Sequence, residues 1–226
     1  SADWAARLEA ARSEHQALLA LPASSTPLLD QRQLASARRL VLLAARVEAL
    51  KSQGSGETTS DAVAVLIPKL PGQPPYSVLD VDALRDRLDA LTTQQTALEL
   101  GLKQLDVTVD EAVRARGEAD ANLRLRREQA AQAGPAAANV EELRAQVALA
   151  ELLSQVMELE VLQNDERRQR ARSRLAALAE PVKQLQAEVD RGRRQMSFDD
   201  ADLARILKGI AAERQKLSAE SAKLSE

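Results

Sequence analysis

Apolar residues recur in steps of four and three along much of the chain. The first long walk passes through Leu84, Leu88, Leu91, Gln95, Leu98, Leu102, Leu105, Val109, Ala112, Arg116, Ala119 and Leu123, ten of the twelve being apolar. The second runs Val140, Leu143, Val147, Ala150, Ser154, Met157, Val161, Asn164, Arg168, Ala171, Leu175, Leu178, Val182, Leu185 and Val189, with twelve of fifteen apolar. A seam recurring roughly every 3.5 residues over at least five heptads predicts coiled-coil helices. Between the walks stands Ala133-Gly134-Pro135-Ala136, where Gly favours a helix C-terminus and Pro lacks the donor needed to continue one. Residues 78–193 therefore read as a long antiparallel helical hairpin. Some 50 residues of helix span about 75 Å at the helical rise.

The flanking pattern predicts shorter helices. Residues 3–21 place Trp4, Leu8, Ala11, Leu18 and Leu19 near one face, and the breakers Pro22 to Pro27 end that helix. A second helix from about Leu28 to Ser52 carries Leu29, Gln33, Leu40, Leu43, Val47 and Leu50, and Leu34, Val41 and Leu42 widen its apolar arc. A wide arc predicts a helix wedged between neighbours. Residues 1–53 thus form an N-terminal hairpin expected to pack on the long one. Residues 54–77 read as a linker, flexible at Gln53–Ser60 and extended at Pro71–Pro75. Inside it, residues 61–70 read as a turn or two of helix capped by Ser60, or as a short extended segment. Helix is favoured, since a lone strand has nothing to pair with in an all-helical chain. Ser77 or Asp80 is the expected cap of the first long helix.

Leu149, Leu152, Val156 and Leu159 add a second stripe to the second long helix, so that residues 147–162 are apolar over most of the circumference. A two-helix hairpin cannot bury this. These four residues form the candidate interaction surface, and residues 28–52 are the obvious helix to cover it. Gly101 and Gly117 inside the first long helix each cost up to about 1 kcal/mol against Ala, which a close helix approach could offset. Pro181 leaves the heptad phase intact and predicts a kink, not a stop. Gly192 to Met196 reads as a break. Ser197-Phe198-Asp199-Asp200 then reads as a capping box opening a last helix, 197–226, with Leu203, Leu207, Ile210, Arg214, Leu217, Ser221 and Leu224 in its seam. That helix is expected to fold back along the end of the second long helix. Its period persists to the last residues, and the protein is expected to continue beyond Glu226.

Composition agrees with an all-α, elongated bundle. Trp4, Tyr76 and Phe198 are the only aromatic residues among 226, so the core must be a strip of Leu, Val and Ala. The absence of cysteine excludes disulfides and thiolate metal sites, and sits comfortably with a periplasmic location. A net charge of −3 demands neither nucleic acid nor an anionic membrane as partner. No run approaches the roughly 18–20 apolar residues of a transmembrane helix. Ser1-Ala2-Asp3-Trp4 is compatible with the residues left after a signal peptide is removed, or with a piece cut from a longer protein.

Candidate chemistry is sparse. His15 is the single histidine and reads as a surface or edge residue. Asp199, Asp200 and Asp202 lack the Gly and distal Glu of a calcium loop and fit a helix N-terminus instead. Arg167, Arg170 and Arg174 form a weak basic patch within a longer run that includes Arg168 and Arg172. Without interleaved aromatics to stack on bases, that run reads as solvated coiled-coil flank, with nucleic-acid or anionic-lipid binding the sharper alternative. No phosphate loop, nucleophile elbow or zinc motif occurs. The expectation is a non-enzyme with no cofactor, no metal, no small-molecule substrate and no nucleic acid. Its partners are helices of other proteins or of its own kind.

Three stretches carry a resemblance: Tyr-Ser-Val-Leu-Asp-Val-Asp-Ala-Leu at 76–84 behind a Pro-rich lead, Glu-Leu-Arg-Ala-Gln-Val-Ala-Leu-Ala-Glu-Leu-Leu at 142–153, and Phe-Asp-Asp-Ala-Asp-Leu at 198–203. Together they resemble the N-terminal extracytoplasmic coiled-coil region of large proteobacterial mechanosensitive channels of the small-conductance family. The resemblance covers much of the chain from about residue 74. It implies a periplasmic helical domain ahead of a membrane-embedded part of the same polypeptide, acting in assembly, envelope sensing or partner binding. The family's pore helices and vestibule have no counterpart in these residues, so no conduction residue transfers. A stand-alone scaffold or adaptor, periplasmic or cytoplasmic, is the alternative.

Overall fold

The computed structural model describes residues 2–21, 26–54, 68–70, 73–133, 139–198 and 200–224. The chain is an all-α helical bundle. Its elements are α1 (Ala2–Leu19), α2 (Pro27–Gly54), a two-residue strand β1 (Tyr76–Ser77), α3 (Val78–Ala133), α4 (Val140–Arg194), a second short strand β2 (Met196–Ser197) and α5 (Asp200–Leu224). The expected turn at Gly134–Ala136, the apolar stretch 61–67 and Asp199 lie outside the described residues. The contacts divide into two compact units: one of residues 1–63 and 99–174, the other of residues 64–98 and 175–226.

In the first unit, α1 and α2 form an antiparallel hairpin laid on α4. Thr26 caps α2 through its hydroxyl to the Leu29 N–H, with Pro27 at the first helical position where a missing donor costs nothing. His15 and Arg39 link the pair: His15 Nδ1 lies 2.6 Å from Ser36 Oγ, and Arg39 bridges to Glu14. The Ser36 hydroxyl also lies 2.9 Å from the Gln33 carbonyl, so it links His15 of α1 to the main chain of α2. Leu8, Ala11, Leu43, Val47 and Leu159 form one buried cluster, with Trp4 packed against it. Leu18, Ala35 and Leu152 form another. Arg38 to Glu160 and Arg46 to Glu166 run in step, so α2 lies parallel to α4. On α3, Arg126, Asp120 and Asp106 bond to Gln146, Ser154 and Arg172 in descending against ascending order, the signature of an antiparallel pair.

In the second unit, Val81, Leu84, Leu88 and Leu91 of α3 close on Leu178, Leu185 and Val189 of α4, with Leu70 and Tyr76 at one end. Leu185 and Val189 are fully buried. Helix α4 continues through Pro181. It also continues through Gly192, where a break was expected, and ends only at Arg194. Gly192 is a contact point: a Cβ there would meet Val81 Cγ2 at 2.9 Å and Leu70 Cδ1 at 3.0 Å. Gly101 and Gly117 are the reverse, with nothing within 4 Å, so no close approach compensates for them.

Two further expectations are corrected. Leu34 and Val41 do not widen a buried arc: they are 72% and 68% exposed, because α2 turns Ala35, Leu43 and Val47 to its neighbours and no described element reaches its other side. Helix α5 does not bury its seam on α4. The apolar face of α4 at Leu178, Leu185 and Val189 is already filled by α3, which leaves α5 nothing to cover.

Candidate interaction surface

The four residues read as an interaction surface are occupied within the chain. Leu152 and Leu159 are buried and Leu149 is half-buried beneath the α1–α2 hairpin, and Val156, on the same stripe between them, is 0% exposed. Their apolar demand is met by Leu8, Leu18, Ala35, Leu43 and Val47. Full burial of such aliphatic side chains contributes about 1.5–3 kcal/mol each. Charged contacts ring this core: Arg46 bridges to Glu166 while its guanidinium lies 5.3 Å from the Trp4 ring centre, with Arg7 at 4.8 Å. An open groove of about 420 Å³ beside Leu18 and Leu152 is lined by Glu14, Arg32, Arg39 and Glu151, a mixed-charge rim that selects no ligand sign.

The basic run is partly spent. Arg168 and Arg172 both reach Asp106 of α3, and Arg168 also pairs with Asp165. Arg167, Arg170 and Arg174 lie on one exposed side of α4, spaced three and four apart. Arg170 Nε donates to the Glu166 carbonyl at 3.4 Å, and Arg174 also has a partner. Among the described residues no group of three acidic or histidine side chains is placed to hold a metal. Asp202 is turned inward instead, at 1% exposure.

What the pattern of seams did not locate is the junction where α5 begins. Strand β1 pairs in parallel with β2, Tyr76 opposite Met196 and Ser77 opposite Ser197, and the Tyr76 N–H donates to the Gln195 carbonyl at 2.9 Å. The Ser77 hydroxyl donates to Asp202 Oδ1, which ties the residue before α3 to the first turn of α5. Arg205 reaches Asp80 at 3.4 Å, and Arg191 lies over the buried Tyr76 ring at 5.6 Å. Only the start of α5 is held this way. Beyond it Leu203, Leu207, Ile210 and Leu217 are 45–65% exposed, and Met196 and Phe198 are exposed beside the junction. The spacing of the stripe was legible in the sequence; its exposure was not, because that depends on whether a neighbour has apolar surface left to offer.

No described helix is long and apolar enough to cross a membrane. No protein-family model, curated protein or solved structure matches the chain.

Proposed function

We propose that the chain is a non-catalytic helical interaction module and, more specifically, an extracytoplasmic coiled-coil region of a small-conductance-type mechanosensitive channel. The observation that carries the broader reading is the apolar stripe of α5, left uncovered on a helix whose first turn is pinned by Asp202 and Arg205. A helix presented in this way offers anchors at three- and four-residue spacing to another helix. Support for the channel form comes from the resemblance: two of its three stretches, 76–84 and 198–203, meet at the β1–β2 junction. This form requires a membrane-embedded part in the same polypeptide, since none of the described helices can supply it.

A tagged copy expressed from its own locus tests the channel form. Sedimentation with membranes, together with digestion by protease added to spheroplasts, is the expected result. Recovery in the soluble cytoplasmic fraction overturns it and leaves the stand-alone scaffold, which the same exposed stripe supports equally. The Arg-rich alternative is weaker, because Arg168 and Arg172 are committed to Asp106. Binding to nucleic acid or anionic vesicles that falls steeply with salt would revive it.

A further inference from the structure

We infer that α5 is a self-association element, through which two copies of this chain pair in antiparallel orientation about a two-fold axis near Ala212. Charge and size along the helix both point to this. The exposed stripe contains a single charged position, Arg214, and Glu213 stands immediately before it on the stripe's edge. An axis near Ala212 sets Leu207 of each copy against Leu217 of the other, twice. It sets Arg214 of each copy against Ile210 of the other, and brings the two Glu213 side by side on one flank at the centre, each within one helical turn of the other copy's Arg214. Along one flank the facing residues are Ala211 against Ala211 and Ala204 against Ser218, small enough to let two helices approach closely. A parallel pair would stack Arg214 on Arg214 in the seam, a like-charge contact that disfavours that orientation.

The area is adequate. Leu203, Leu207, Ile210 and Leu217, at 45–65% exposure, offer roughly 450 Å² per copy and roughly 900 Å² per pair. The flanking alanines and the Arg214 stem carry the pair past the roughly 1,000 Å² that a specific interface needs. Lipid is a poorer occupant. The cations Arg205, Lys208 and Lys216 lie away from the apolar stripe instead of flanking it, and Glu213 and Glu220 border one edge. The pairing rests on α5 alone and is independent of the channel reading.

Light-scattering mass of the 226-residue chain across the micromolar range is the test. A mass of two chains is expected, and Ile210→Lys, which sets a second cation against Arg214 of the other copy, is expected to weaken the dimer about a hundredfold or more while leaving helicity unchanged. Leu34→Glu with Val41→Glu, on the other exposed apolar edge, is expected to leave the dimer intact. A single-chain mass throughout, a mass above two chains, or a dimer that ignores Ile210→Lys, whether or not it falls to the α2 pair, overturns the inference. Orientation is read by oxidation, cleanly because the chain has no cysteine of its own. Leu207→Cys chains mixed with Leu217→Cys chains should cross-link, and neither alone should. Efficient cross-linking of each alone indicates a parallel pair and overturns the antiparallel assignment.

Discussion

Two stripes of this molecule have nearly the same signature and opposite fates. Leu149, Leu152, Val156 and Leu159 on α4 recur at three- and four-residue spacing, as do Leu203, Leu207, Ile210 and Leu217 on α5. The first is roofed by α1 and α2, with Val156 fully enclosed; the second lies open. Intrinsic apolarity does not separate them. The difference is supply: the N-terminal hairpin brings Leu8, Leu18, Ala35, Leu43 and Val47 to α4, whereas the neighbours of α5 have already spent their apolar faces on one another. An amphipathic pattern thus states a demand for cover, and only the rest of the chain says whether it is met within the molecule.

The most forceful way to break this comparison is to place the same charge in both stripes. Val156→Asp puts a carboxylate into a fully enclosed site with no partner, and is expected to cost about 3–5 kcal/mol, enough to unfold the first unit. Ile210→Asp, on the open stripe, is expected to stay within about 0.5 kcal/mol in the isolated monomer. Urea unfolding followed by circular dichroism, at a concentration where the chain is monomeric, reads both. Equal losses would mean that the α5 stripe is covered within the chain after all.

A sharper version asks how α5 is held at all. A Cβ on Gly192 would stand 2.9 Å from Val81 Cγ2 and 3.0 Å from Leu70 Cδ1, so a side chain there forces these two to shift. Gly192→Ala is therefore expected to destabilise the second unit by about 1–3 kcal/mol, through forced displacement of two core side chains. Ser77→Ala removes a donor from the buried Asp202 and is expected to cost about 1–2 kcal/mol. Its more specific effect is on the β1–β2 junction, read as faster amide exchange at Tyr76, whose N–H donates to Gln195. If exchange there is unchanged, the Ser77–Asp202 bond does not hold the junction together.

The helices were legible because heptad periodicity is a local property written into every turn. Leu84, Leu88 and Leu91 were placed in a seam by spacing, and they are buried in one. The need for a third helix over residues 147–162 was legible for a related reason: too much apolar circumference for one partner. The junction was not, since the pairing of Tyr76 with Met196 joins residues far apart in the chain through main-chain groups that every residue carries. Nor could spacing distinguish the roofed stripe from the open one. Leu152, Val156 and Leu159 are buried and Leu149 is half-buried, whereas the stripe on α5 is open.

The smallest expected effect extends the comparison of covered and open positions to the glycines. Gly117 lies inside α3, with nothing within 4 Å of where a Cβ would stand, while Gly192 lies inside α4, where one would crowd Val81 and Leu70. The two share an intrinsic helix penalty, about 1 kcal/mol against Ala, which comes from the backbone freedom lost on folding. At Gly192 that penalty is offset by a contact only glycine permits. At Gly117 nothing offsets it, so Gly117→Ala is expected to stabilise the chain by about 0.5–1 kcal/mol, seen as a higher urea midpoint with an unchanged slope. Opposite signs for one substitution at two helical glycines would show that packing, not helix propensity, sets glycine's place in α4. A loss of stability at Gly117 would mean that this position is covered by a helix from another chain.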